Sequence, residues 1–234
     1  MMKKKILVIV GASRSGSSAL EKYICSKTKV FAGGELRWIF KRGGIDNDLC
    51  GCGERANDCP FWSPFFHQKN LSELDKLRAF FDSPLNVLKL YITPLQTESF
   101  KKKRDEYKKA INNLYQYINH NTIVDNSKSP LYFLTIFKLL PKDSYDFSVF
   151  FIVRSLKETV FSYKKNKVRV ESLVKENMTK KNWIQATIYW YLINMISLLS
   201  TLLTKEKLII SYQEFCSKPW DIDRWLKLNI KSQS

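Results

Sequence analysis

Ile6–Val10 is an unbroken aliphatic run stopped by Gly11. A run this short and continuous predicts a strand buried on both faces. From Ser17 to Lys27 the apolar residues change to helical spacing, with Ala19, Leu20, Tyr23 and Ile24 on one face, so the chain opens strand, glycine loop, helix. Lys29–Ala32 predicts a short second strand ending at Gly33-Gly34, and Glu35–Phe40 begins a new segment. Residues 41–70 hold most of the Gly, Cys and Pro without a sustained period and predict an irregular insertion. Ser72–Phe81 and Ser99–Asn119 carry helical spacing, the second with Ile111, Leu114, Tyr115 and Ile118 on one side behind a basic opening, KKKRDEYKK, that suits a solvated face. Thr122–Val124 then predicts a strand, Ser129-Pro130 the N-cap and first turn of a helix to Leu140, and Phe147–Val153 a strongly apolar strand. A helix from about Leu156 to Lys165, a basic irregular stretch, a long helix around Lys181–Leu203, a strand at Leu208–Ile210 and a short tail with Pro219 complete the order. Strands alternating with helices imply βαβ units, hence the α/β class with a mostly parallel central sheet flanked by helices in three layers. With no internal repeat and no linker, residues 1–234 read as one domain carrying the insertion at about 41–70.

Composition narrows the partners. Hydrophobic residues make up 44% of the chain, which excludes disorder, and Lys plus Arg exceed Asp plus Glu by 39 − 22 = 17. Such an excess suits either an anionic ligand or a Lys-rich solvated surface. Scattered lysines without a nucleic-acid motif argue against specific nucleic-acid reading. The 21 residues from Trp183 to Leu203 carry no charge and are long enough to cross a bilayer, but Gln185, Thr187, Asn194, Ser197, Ser200 and Thr201 suit a helix partly buried in a globular core. No membrane span is expected. The apolar run at the N-terminus is short for a signal peptide, and five cysteines, an odd number with three of them inside ten residues, point to a reducing, cytoplasmic setting. Cys50, Cys52 and Cys59 with His67 downstream offer four zinc ligands, but their spacing is unlike paired C-x2-C knuckles, so thiols in a substrate-side loop and no metal are the expectation. His120 has no partner in the pattern, which disfavours a histidine relay.

The chemistry sits at the first strand-to-helix junction. Gly11-Ala12-Ser13-Arg14-Ser15-Gly16-Ser17-Ser18 places backbone N–H groups and a helix N-terminus around one spot, a geometry that binds an oxyanion. It nearly matches G-x-x-x-x-G-K-[ST], but Ser17 stands where a nucleoside triphosphatase needs its lysine. What remains is a cradle for a single phosphate-like group within a P-loop-like fold, with Arg14 as the permanent charge and Ser15, Ser17 and Ser18 as donors. The bland alternative is a Gly/Ser turn with no ligand. Arg154 ends the apolar strand Phe147–Val153, at the edge where α/β sheets bind ligands, and Ser162 follows two helical turns later. Read blandly, these two are a strand-end charge and a helix-surface residue.

Together these segments resemble one family. GASRSGSSAL looks like the 5′-phosphosulfate loop, and VFFIVRSLKETVFSYKK like the 3′-phosphate segment, of sulfotransferases that use 3′-phosphoadenosine 5′-phosphosulfate (PAPS). GGELRWIFKRGGIDNDLCGCGERANDCPFW is similar to the GE-L-R…C-x-CG…C-x-FW region of a bacterial branch, DNSKSPLY to its D-x-[ST]-KxP segment, and SYQEFCSKP to its Y-E-D-L-x-x-x-P segment. The matches run in the family's order from residue 6 to 219. The resemblance implies that Ser13, Arg14, Ser15, Gly16, Ser17 and Ser18 hold the phosphosulfate, that Arg154 and Ser162 take the 3′-phosphate, and that Tyr212 belongs to the donor site. It further implies that Arg14 and Lys128 stabilise the transferred group and leaving phosphate, that Glu35 is the general base, as in the similar G-E-x-x-R context of tyrosyl-protein sulfotransferases, and that no metal is required. The acceptor would be a carbohydrate, lipid or small metabolite. Blander readings pair Glu35 with Arg37 and make Lys128 a surface charge at a helix start. The chain departs from many relatives after Pro219, where no R-K-G-type loop follows. The rivals are an inactive or weakly active PAPS-fold polyanion binder and a P-loop small-molecule kinase.

Overall fold

In the computed structural model, which describes residues 3–67, 70–165, 168–169, 171–172, 177 and 180–230, the aliphatic run near the start of the chain lies at the centre of a sheet. The elements run β1 (Lys4–Val10), α1 (Ser17–Lys27), β2 (Phe31–Ala32), α2 (Ser63–Phe66), α3 (Leu71–Phe81), α4 (Pro84–Tyr91) and α5 (Glu98–Tyr117). They continue with β3 (Thr122–Lys128), α6 (Pro130–Leu139), β4 (Tyr145–Val153), α7 (Leu156–Lys164), α8 (Trp183–Thr201), β5 (Glu206–Ser211), α9 (Tyr212–Ser217) and α10 (Trp220–Asn229). The chain forms two compact units, one of residues 1–36, 118–164 and 181–234, the other of residues 37–117 and 165–180. Much of the basic stretch expected between about 166 and 180 lies outside the described residues.

The first unit is α/β, as the alternation predicts. Its five strands are all parallel in the order β2-β3-β1-β4-β5. β1 is flanked on both sides by later strands, so the winding reverses there and the loop after it opens into the crevice where such sheets bind ligands. Ile6 to Val10 have no exposed surface. Leu7 and Ile9 pack with Leu20 and Ile24 of α1 and with Ile222, Trp225 and Leu226 of α10, where Trp225 meets Phe150 edge-on at 4.6 Å. Ile6, Val8 and Val10 alternate to the opposite face. There α6 and α8 pack over the sheet.

Sequence expectations change at β3 and at the C-terminal tail. β3 runs on past Val124 through Asp125, Asn126 and Ser127 because these buried polar residues find partners: Ser127 donates to Asp125 from both N–H and hydroxyl, and the Asn126 amide donates to Glu21 at 2.9 Å. The tail with Pro219 is two helices, α9 and α10, the second started by Pro219 at its N-cap. In α8 the small residues face inward, Ala186, Ser197, Ser200 and Thr201 among them, while Ile188, Leu192, Met195 and Leu199 are exposed. Ser200 and Thr201 return their hydroxyls to the carbonyls of Ser197 and Leu198, both at 2.7 Å, whereas the buried Ser197 hydroxyl and Asn194 amide have no hydrogen-bond partner among the described residues. Among the described residues no helix is long and apolar enough to cross a membrane.

The second unit holds the insertion, and aromatic packing orders what the sequence leaves irregular. Ile39–Ile45 forms π-helical turns, and Phe40, Trp62, Phe65 and Phe66 are buried together, Trp62 stacking on Phe66 and Tyr117. Arg78 lies 4.0 Å over the Trp38 ring and bonds Asp75 and Asp82. Residues 84–91, assigned to no element by periodicity, form α4 with Pro84 in its first turn.

Candidate functional site

The loop after β1 is anchored at its first glycine and at the start of α1. Gly11 N–H bonds the carbonyl of Lys128 at 3.1 Å, and Gly16 caps α1 with φ +96° and without any side-chain cap, leaving the helix's first N–H groups turned toward the loop. Gly16 is required twice over. Its φ disfavours any side chain, and a Cβ there would stand 2.3 Å from the ring of Tyr212, at the start of α9. Gly16→Ala is therefore expected to cost roughly 2–4 kcal/mol of stability, measured by urea denaturation. A loss under about 1 kcal/mol would mean that the loop re-forms freely around a side chain.

The loop's cation is poised but unmatched. Arg14 has φ +70°, its guanidinium lies 5.1 Å over the Tyr163 ring, and both terminal nitrogens are buried without a hydrogen-bond partner among the described residues. The Ser15 hydroxyl is buried and unmet in the same way. Buried donors without partners are costly and uncommon, and an oxyanion is what such a set of donors fits. Ser13 contacts the Tyr189 hydroxyl through its N–H at 3.3 Å and its Oγ at 3.2 Å, and Tyr163 meets Tyr189 edge-on. Lys181 lies 4.9 Å over the Tyr189 ring. Burial, above all, pushes the Tyr163 hydroxyl up from its ordinary range, so it stays protonated. Ser17 is buried and Ser18 exposed.

Arg154 joins this loop directly. Its Nη1 donates to the Arg14 carbonyl at 3.3 Å, its guanidinium lies 4.6 Å over the Tyr212 ring, and its Nε pairs with Glu158 at 3.2 Å. The Ser155 hydroxyl first, then Arg154, hold the Glu158 carboxyl below the usual carboxylate range. The structure thus brings Arg14, Arg154, Gly16 and Tyr212 together around one loop. Ser162 is buried in α7 with Thr159 and Tyr163, and among the described residues no hydrogen bond ties it to Arg154.

Glu35 and Lys128 form a second cluster on the same unit. Gly33 N–H bonds Val124 O at 2.8 Å and Gly34 O accepts from Asn126 N–H at 2.7 Å, so the backbone before Glu35 is clamped to β3. Lys128 ends β3 with φ +64° and its Nζ meets Glu35 Oε1 at 2.6 Å. Lys128 is a strand-end residue with its side chain largely covered, and Arg37 bonds Asp82 at 2.8 Å. Sequence reasoning misses Glu21, whose carboxylate is buried and accepts from Gly34 N–H at 2.8 Å and from Asn126. Burial raises its pKa, against those two hydrogen bonds and the charge of Lys128. The signal was present: Ser17, Leu20, Glu21 and Ile24 are the buried stripe of α1, and an acid on an apolar stripe needs a partner.

Asp125 is buried within β3 and accepts from the N–H and hydroxyl of Ser127. No family model and no curated protein matches the sequence. Among solved structures, the fold is similar to a sulfotransferase domain from the curacin biosynthetic pathway, with 15% sequence identity, 99% of this chain and 75% of that chain covered, and a TM-score of 0.49.

Proposed function

We propose that the protein transfers a sulfuryl group from PAPS to a hydroxyl or amine of an acceptor, a carbohydrate, lipid or small metabolite. The observation that carries this reading is the pair of buried, partnerless Arg14 nitrogens inside a glycine loop whose lysine position is Ser17. A loop of this kind suits one tetrahedral anion without a metal-bound polyphosphate. In the reaction, the acceptor oxygen or nitrogen forms a bond to sulfur as the bond from sulfur to the 5′-phosphate oxygen breaks, and the acceptor's proton passes to Glu35. Arg14, the backbone N–H groups of residues 13–18 and Lys128 offset the charge that grows on the leaving phosphate. Arg154 receives the 3′-phosphate, with Tyr212 packed beneath it. Ser162, two helical turns along α7, is its proposed companion.

One observation favours a second reading, a weakly active or inactive PAPS-fold binder: Arg154 and Glu35 are both already engaged, by Glu158 and Lys128. A thermal-shift experiment addresses binding. Adenosine 3′,5′-bisphosphate or PAPS at a hundred times its Kd is expected to stabilise by about 2.7 kcal/mol, roughly 5–10 °C in Tm, with Mg-ATP giving much less. Equal or greater stabilisation by Mg-ATP would remove the donor assignment and favour the kinase. Arg154→Ala is expected to weaken donor binding by about 1.5–3 kcal/mol, roughly 10–150-fold by titration calorimetry. Unchanged affinity would place the 3′-phosphate elsewhere.

A further inference from the structure

Three cysteines of the insertion converge where the sequence spacing does not predict a site. Cys50 and Cys52 sit on a tight hairpin: Leu49 bridges Arg55 antiparallel, Cys50 N–H bonds Glu54 O at 2.8 Å, and Gly53 N–H returns to Cys50 O at 2.9 Å. Gly53 makes that turn with φ +94°, which favours glycine. The chain then folds back, Ala56 N–H bonding Asp48 O at 3.0 Å, and delivers Cys59 just before α2. All three sulfurs lie within 4.8 Å of one another, and Cys52 Sγ is 3.6 Å from Cys59 Sγ.

We propose that Cys50, Cys52 and Cys59 bind one Zn²⁺ ion, with the fourth position taken by solvent or a small anion. The proposal stands apart from sulfuryl transfer. Two thiolates on one tetrahedral zinc, each about 2.3 Å from the metal, are about 3.8 Å apart, so the three sulfurs are within an ångström or so of that arrangement before any ion enters. A disulfide needs about 2.05 Å and would use only two of the three. Soft thiolates in this number select zinc over magnesium or calcium. Burial falls from Cys59 through Cys50 to the exposed Cys52, so the site lies at the surface with its open position outward. His67 does not complete the set. Its Nδ1 meets the Ser63 carbonyl at 2.6 Å, and among the described residues the metal-ligand group contains the three cysteines alone. The ion would act as a clip, tying a hairpin turn to the start of α2 in a stretch with few ladder hydrogen bonds.

The test uses the full chain purified without chelator. About one zinc per chain by mass spectrometry, and a thiolate-to-metal charge-transfer band on Co²⁺ substitution, are expected. Cys50→Ser, Cys52→Ser and Cys59→Ser should each weaken Zn²⁺ at least about tenfold in competition with a chromogenic chelator, and Cys25→Ser and Cys216→Ser should not. Because Cys59 is buried, its variant also tests core packing, so the exposed Cys52 decides the matter. Undiminished Zn²⁺ affinity in Cys52→Ser overturns the proposal. So does protein that takes up less than about a tenth of an equivalent when Zn²⁺ is supplied. A Cys52–Cys59 disulfide in anaerobically prepared protein would overturn it in favour of a redox pair.

Discussion

Glu35→Gln is expected to lower turnover about 10²–10⁴-fold while leaving donor affinity nearly unchanged, the range for a lost general base. The substitution is well matched to the geometry. Lys128 Nζ donates to Glu35 Oε1 at 2.6 Å, and the Gln carbonyl oxygen accepts the same bond, so Lys128 keeps its place at the end of β3. The clamp on the preceding backbone, from Val124 O to Gly33 and from Asn126 N–H to Gly34, does not involve the side chain. What Gln loses is the negative charge and the ability to take a proton. Single-turnover rates with a competent acceptor, alongside donor titrations, separate this from a binding defect. A fall of less than about tenfold would show that another group accepts the proton or that the acceptor arrives ionised.

How much of this is legible from the chain depends on how local the cause is. β1, the loop and α1 are set by an aliphatic run, two glycines and a helical stripe within a few turns, and the structure follows them closely. The same holds for α6, where Ser129 accepts from Tyr132 N–H and Pro130 opens the helix. α10 was hidden by Pro219, which reads as a breaker yet serves as N-cap. Its Ile222, Trp225 and Leu226 have the i, i+3, i+4 spacing of a buried helical face. Strand order is another matter, since parallel pairing carries no local mark. The site divides the same way. Arg14 and Arg154 are marked by a loop motif and a strand end, whereas the Glu35–Lys128 pair joins residues 93 apart and depends on β2 and β3 being neighbours. Glu21 lies in between. Its position on the buried face is readable, but its partners Asn126 and Gly34 come from tertiary structure.

Arg14→Met should separate function from stability in one variant. Donor affinity or kcat/KM is expected to fall about 10²–10³-fold, the loss typical of a donor aimed at a developing oxyanion. Folding stability should hold or rise by about 1 kcal/mol, some 2–4 °C in Tm, because both terminal guanidinium nitrogens are buried without hydrogen-bond partners among the described residues and carry a desolvation cost that Met does not. Met is close in length, faces the same left-handed backbone at φ +70°, and its thioether packs on the Tyr163 ring where the guanidinium now lies at 5.1 Å. The contact from Arg154 Nη1 goes to the backbone carbonyl of Arg14 and survives the change. A residue kept for structure behaves the opposite way: Tm drops with the lost cation–π contact and donor affinity does not move. That outcome would turn the loop back into a rigid Gly/Ser turn. The expected one, weaker binding in a protein at least as stable, is the mark of a charge held unsatisfied in the free protein for a ligand to meet.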